Sequence, residues 1–188
     1  MAVFHVLFVC IGNVCRSPMG ERLLAPRLVP GRAAVSSAGV GALVGHAMDA
    51  SAAEFLESMG GSAQGFAARR LTSDMALEAD LILTATKDIR ERVLQMAPAT
   101  LRRTFTAVEF AKLMELVSAA DAKSLVHAAA THRAEVSSED LDIVDPYRRS
   151  QALHRLAATH MGEAVDSIAD RLSEFGLATP PTRRALGE

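Results

Sequence analysis

A chain of 188 residues has room for one α/β domain with a full core, and little room for two. Nearly half of it (49%) is apolar, yet no apolar run approaches the roughly 18–20 residues of a membrane span. A formal charge of −2 leaves no electrostatic case for nucleic acid, so the pairs Arg69-Arg70, Arg102-Arg103 and Arg183-Arg184 read as solvated surface.

The most apolar stretch, Val3 to Cys10, contains His5 and lacks a basic leader and a cleavage site. It reads as a buried strand over Phe4–Val9, not as a signal peptide. The Gly12-Asn13 turn follows, then a helix with Ser17 as N-cap and Pro18 at its first position. A strand is expected over Ala33–Ser37, closed by Gly39 and Gly41, and a helix over Asp49–Met59, stopped by Gly60-Gly61. Asp80–Thr84 is a compact apolar strand, with a helix from Lys87 to Met96. Thr104–Thr106 reads as a fourth strand, with a helix from Val108 to Val117. The alanine-rich segment Ser118–Glu139 is an extra helix or a mobile insert. Helical spacing of Leu153, Leu156, Met161, Val165, Ile168 and Leu172 predicts a long helix over Ser150–Phe175, and a disordered tail is expected from Thr179 on. Strands alternating with helices give a doubly wound α/β domain over 1–178, with a parallel sheet of about four strands flanked by helices. Ligand sites in such sheets lie beyond the carboxyl ends of the strands, where Cys10 to Arg16 falls.

That segment, Cys10-Ile11-Gly12-Asn13-Val14-Cys15-Arg16-Ser17-Pro18, carries the chemistry. A loop entering a helix N-terminus aims backbone N–H groups inward, and the helix dipole adds positive charge. Gly12 and Asn13 tolerate the left-handed backbone that a tight anion-cradling loop needs. Arg16 can grip two oxygens of a tetrahedral oxyanion. Cys10 then sits under the anion, in a field that favours its thiolate, and Ser17 can donate a hydrogen bond to that thiolate. The two cysteines are too few for a secreted disulfide scaffold and suit a reducing cytoplasm. The six histidines are scattered, so no metal site and no cofactor are expected.

Cys-x5-Arg-Ser-Pro near the start resembles the phosphate loop of low-molecular-weight protein-tyrosine phosphatases. Asp145-Pro146-Tyr147 matches that family's general-acid loop, and Ser36-Ser37-Ala38-Gly39, Ala68-Arg69 and Ala79–Leu83 fall in its order. The resemblance implies a phosphatase in which Cys10 is the nucleophile and forms a phosphocysteine. Arg16 and the amides of Ile11, Gly12, Asn13, Val14, Cys15 and Ser17 hold the phosphoryl oxygens, and Asp145 is the acid and then the base. Asn13 and Ser37 support the loop. The implied partner is a phosphotyrosine-containing protein, with neither nucleic acid nor membrane. Cys15 either forms a protective disulfide with Cys10 or packs beneath the loop.

The chain also departs from the family pattern. There is no Trp to wall the substrate ring, and Leu43 stands in for it, opposite Tyr147. Arg148-Arg149 follow Asp-Pro-Tyr, either meeting acidic residues beside a phosphotyrosine or as plain exposed charge. Phe66 stands where some relatives have a histidine, which weakens the carry-over of their loop network. Val14, where protein-arginine phosphatases have a hydroxyl residue, favours an aryl ester over phosphoarginine. Two alternatives stay open: an arsenate reductase using an external small thiol, and a non-catalytic anion- or phosphoprotein-binding module.

Overall fold

The computed structural model describes residues 3–136 and 140–179. Four parallel strands form one sheet: β1 (Phe4–Cys10), β2 (Ala33–Gly39), β3 (Leu81–Thr84) and β4 (Thr104–Thr106), in the order β2-β1-β3-β4. The chain therefore winds first one way from β1 and then the other, and the switch point is the carboxyl end of β1.

β1 and β3 are mostly apolar because both of their faces are covered. Phe4, Val6 and Phe8 of β1, with Leu81 and Leu83 of β3, belong to one core layer. The alternate residues Leu7, Val9 and Ile82 belong to the other. The first layer is closed by α1 (Arg16–Leu24), α2 (Ala50–Ser58), α5 (Ala107–Leu116), α6 (Ala122–Thr131) and α7 (Gln151–Glu174). The second is closed by α3 (Ser73–Glu78) and α4 (Lys87–Met96), through Ala76, Ile89 and Val93. Helix α1 lies tightly on β1 because Gly20 faces Phe8; a Cβ there would stand 2.6 Å from the ring.

Several expectations are corrected. Helix α1 begins at Arg16 with Cys15 as N-cap, not at Ser17, and has no side-chain cap. The other six α-helices among the described residues are each capped by a side chain: Asp49, Thr72, Thr86, Thr106, Asp121 and Ser150. The stripe expected on α7 holds at Met161, Val165, Ile168 and Leu172, which are buried, and fails in its first turns. Leu156 is exposed while Ala157 and Ala158 are buried, since small residues let α1 and α2 approach closely. Helix α3 was not expected at all. Within the alanine-rich segment, α6 buries Leu125 and Ala129 in the core, and residues 137–139 lie outside the described ones. Of the tail expected to be disordered, Thr179 is held by its N–H to Arg27 O at 2.7 Å, and 180–188 lie outside the described residues. Among the described residues no helix is long and apolar enough to cross a membrane.

Candidate active site

The loop from Ile11 to Cys15 leaves the end of β1 and enters α1. Its carbonyls are turned outward by one neighbouring segment. Val40, Gly41, Leu43 and Asp49 donate their N–H groups to the carbonyls of Cys10, Ile11, Gly12 and Val14, at 2.9–3.0 Å. With the carbonyls held outside, the amides converge inside. The N–H of Asn13 points at Cys10 Sγ, 3.2 Å away. Those of Gly12, Val14 and Cys15 have no protein partner among the described residues. This is the geometry of an anion-binding nest at a helix N-terminus. Asn13 takes φ +54°, the left-handed conformation that it tolerates better than most residues. Gly39 allows the loop to lie against β2, because a Cβ there would be 2.4 Å from Ile11 O.

A buried hydrogen-bond chain runs under the nest, and its donor directions can be deduced. Arg69 N–H donates to Asn13 Oδ1 at 2.8 Å, which fixes the amide so that Nδ2 is the donor on the other side. Nδ2 gives its two protons to Ser17 Oγ and Ser37 Oγ, each at 2.9 Å. Ser37 passes its single proton to Glu21 Oε2. Ser17 therefore accepts from Asn13 and has one proton left, for Cys10 Sγ at 2.9 Å or Ala38 O at 3.2 Å. When Cys10 is a thiolate, the charged acceptor takes that proton. Glu21 and Arg69 were not singled out in the sequence as members of this chain. Phe66 has no part in it: its ring lies 5.5 Å from the Arg22 guanidinium. The loop support expected to be weakened at Phe66 is supplied by Arg69, which also donates from Nε to Ser37 O at 2.7 Å.

The Asp145 segment reaches this site by being strapped across the sheet's carboxyl edge. Thr106 Oγ1 donates to Leu141 O at 2.8 Å, Lys87 N–H to Asp142 Oδ1 at 2.8 Å, and Ile143 N–H to Ala85 O at 2.8 Å. Arg16, buried to 4% exposure, completes the strap from below. Its Nη1 donates to Ile143 O at 3.0 Å and its Nη2 pairs with Asp145 Oδ1 at 3.0 Å. The Asp145 carboxylate is half exposed, so the pair opens to solvent on one side.

Around the mouth, Ile11 is exposed and Leu43 half-buried, near Gly12. Tyr147 is half-buried against the core, and the Arg148 guanidinium lies 5.2 Å from the centre of its ring. Val14 is buried. Cys15 packs with Met19, Ala52, Pro146, His154, Ala157 and Ala158. Burial, helped by the charges of Asp49, Cys10 and Asp145, pushes its thiol far above the ordinary range, and both cysteines are free. Of the two expectations for Cys15, packing beneath the loop is the one this setting favours. Among the described residues no three His, Cys, Asp or Glu side chains gather at metal-binding spacing.

Comparison with known proteins accords with this geometry. A family profile described as low molecular weight phosphotyrosine protein phosphatase matches residues 5–120. The low molecular weight protein-tyrosine-phosphatase Etp of Escherichia coli (strain K12) is 36% identical over 168 residues, covering 89% of this chain and 94% of that one. The structure of the tyrosine phosphatase Wzb from Escherichia coli K30 in complex with sulphate superposes with a TM-score of 0.69 at 29% identity, covering 91% of this chain and 99% of that one. That of the YwlE arginine phosphatase from Geobacillus stearothermophilus does so with a TM-score of 0.68 at 27% identity, covering 91% and 94%. Profile, relative and fold agree, and the chain belongs to the low molecular weight phosphotyrosine protein phosphatase family, hydrolases that use a cysteine, with Cys10 in the phosphate-loop region.

Proposed function

We propose that the chain hydrolyses phosphotyrosine in proteins through a phosphocysteine on Cys10, with residues 1–178 acting as one domain. The observation that carries the reading is the meeting of Arg16 and Asp145 at 3.0 Å over the loop that Cys10 heads. An idle binding module would not need the acid loop to reach the nest.

In the reading, Cys10 Sγ attacks phosphorus in line, with its charge steadied by the Ser17 hydroxyl and the Asn13 N–H. The arriving dianion takes the Arg16 fork, whose planar donors match its equatorial oxygens, and so frees Asp145. Asp145, half exposed and no longer paired, takes a proton from solvent and gives it to the departing phenolate as the P–O bond breaks. In the second step water attacks phosphorus and gives a proton to Asp145. The P–S bond breaks, inorganic phosphate leaves, and the thiolate departs toward the Ser17 hydroxyl. Electrostatic positioning by the nest amides and Arg16 carries most of the acceleration. No step uses a metal or a cofactor. The reading takes Leu43 and Tyr147 as the walls for the substrate ring. It keeps the free thiols in a reducing cytoplasm.

Because one structural neighbour is named an arginine phosphatase, the two leaving groups must be compared directly. A buried Val14 offers no hydroxyl to a guanidinium, and Tyr147 and Leu43, the walls the reading assigns, suit a flat apolar ring. The test is phosphate release from a phosphotyrosine peptide by reduced protein in EDTA, with a phosphoarginine peptide alongside. Arsenate reduction by an external thiol is measured in parallel. Release from phosphotyrosine that stops on alkylating Cys10 is the expected result. Release from phosphoarginine alone, or arsenate reduction alone, overturns it.

A further inference from the structure

We infer that Arg148 is a specificity-determining residue that selects phosphotyrosines flanked by carboxylate side chains. The inference rests on the phosphotyrosine reading above. Arg148 follows Tyr147 in the turn that delivers Asp145, and its φ is +57°. The turn needs that conformation because Arg149 N–H closes back on Pro146 O at 2.9 Å before the chain enters α7 at Ser150. Glycine or asparagine would meet the need without strain, and arginine does not. A strained residue at the rim of a site points to a use for its side chain.

The side chain has a defined place. Its guanidinium lies 5.2 Å from the centre of the Tyr147 ring, a stacking distance. Among the described residues no hydrogen bond or ion pair occupies its N–H groups. Other arginines of this chain meet carboxylates: Arg27 pairs with Asp166 and Asp170, and Arg90 and Arg133 with Glu109. Arg148 has no such partner among the described residues, and the turn's own carboxylate, Asp145, is held by Arg16. A fork already oriented on an aromatic loses less freedom when it binds a carboxylate. Here it sits beside the Tyr147 wall, three residues past the acid. Arg149 is exposed and rests on no aromatic ring among the described residues, so it provides the control.

The experiment uses two phosphotyrosine peptides that differ only in carrying glutamates or glutamines beside the phosphotyrosine. The ratio of their kcat/KM values is measured at low ionic strength for the wild type, Arg148→Gln and Arg149→Gln. The wild type should prefer the glutamate peptide by about three- to fivefold, the size of a well-placed exposed ion pair. The preference should fall to about one in Arg148→Gln, persist in Arg149→Gln, and fade as salt is added. A wild-type ratio of one overturns the proposal and leaves the phosphatase reading intact. So does a ratio that survives Arg148→Gln or is lost equally in both variants. Turnover of neither peptide refutes the phosphotyrosine reading itself, and this inference with it.

Discussion

Replacing Asn13 separates the two things this residue does. It is fully buried and makes three side-chain hydrogen bonds, to Ser17 and Ser37 at 2.9 Å and from Arg69 N–H at 2.8 Å. At about 1 kcal/mol net for each, losing them costs about 3 kcal/mol. Alanine must also adopt the left-handed backbone at φ +54°, which costs it about 1–2 kcal/mol. Asn13→Ala should therefore be destabilised by about 4–5 kcal/mol. Asn13→Gly takes the conformation freely, but its unfolded state is favoured by about 0.5–1 kcal/mol. It should be milder than alanine by about 1 kcal/mol. Urea titration of both variants, with the slope m checked for constancy, measures the difference. Both should lose most turnover even where folded, since nothing then obliges Ser17 to present its proton to Cys10. If Asn13→Ala falls within 1 kcal/mol of wild type, or glycine proves worse than alanine, the deduction of that network is wrong.

Four further outcomes are expected. Cys10→Ser should keep its circular dichroism spectrum and lose all turnover; residual hydrolysis would remove Cys10 from the nucleophile's place. Asp145→Ala should lose about 10²–10⁴-fold on phosphotyrosine and much less on an ester whose leaving group needs no proton, while equal losses would argue against its role as acid. The raised thiol of Cys15 means that the unfolded chain releases that proton first as pH climbs past about 8.5, so stability should fall by up to ~1.4 kcal/mol per pH unit above that point. Cys15→Ala should flatten this slope in denaturation curves taken from pH 7 to 10, and an unchanged slope would refute the assignment. Gly20→Ala sets a methyl 2.6 Å from the Phe8 ring and should lower stability by about 1–3 kcal/mol in the same assay, with no loss expected only if α1 can shift off the sheet.

What could be read from the residues, and what could not, follows the range of the forces involved. The four strands and the major helices are local matters of apolar run and period, and they were legible. The nest was legible too, because Cys10, Gly12, Asn13, Arg16 and Ser17 are neighbours in the chain. Ser17 looked like a helix cap, since serine before proline usually is one. Its hydroxyl is instead drawn back to the buried Cys10, and the helix starts two residues earlier. Arg69 and Glu21 were missed as network members because a charged residue gives no hint of which buried amide or hydroxyl it meets. The strap from Arg16 to Ile143 spans 127 positions, and only the family's Asp-Pro-Tyr register suggested that the two segments meet. Short α3 was missed because six residues are too few to display a period. Leu156 was placed on the wrong face of α7 because leucine counts as more apolar than alanine, whereas the neighbouring helices leave room only for alanine.

Among the described α-helices, α1 alone lacks a side-chain cap, and this has a thermodynamic consequence. Its first N–H groups are satisfied by no residue of the loop, so an oxyanion bound in the nest, as proposed, would perform the service that Asp49 or Thr106 performs elsewhere. Substrate and product then finish the fold as they occupy the site. At phosphate concentrations one hundred times the dissociation constant, the native state gains about 2.7 kcal/mol. On the proposed reading, a tetrahedral oxyanion that fills the nest would accordingly act as a pharmacological chaperone, and the melting temperature would gauge how full the nest is.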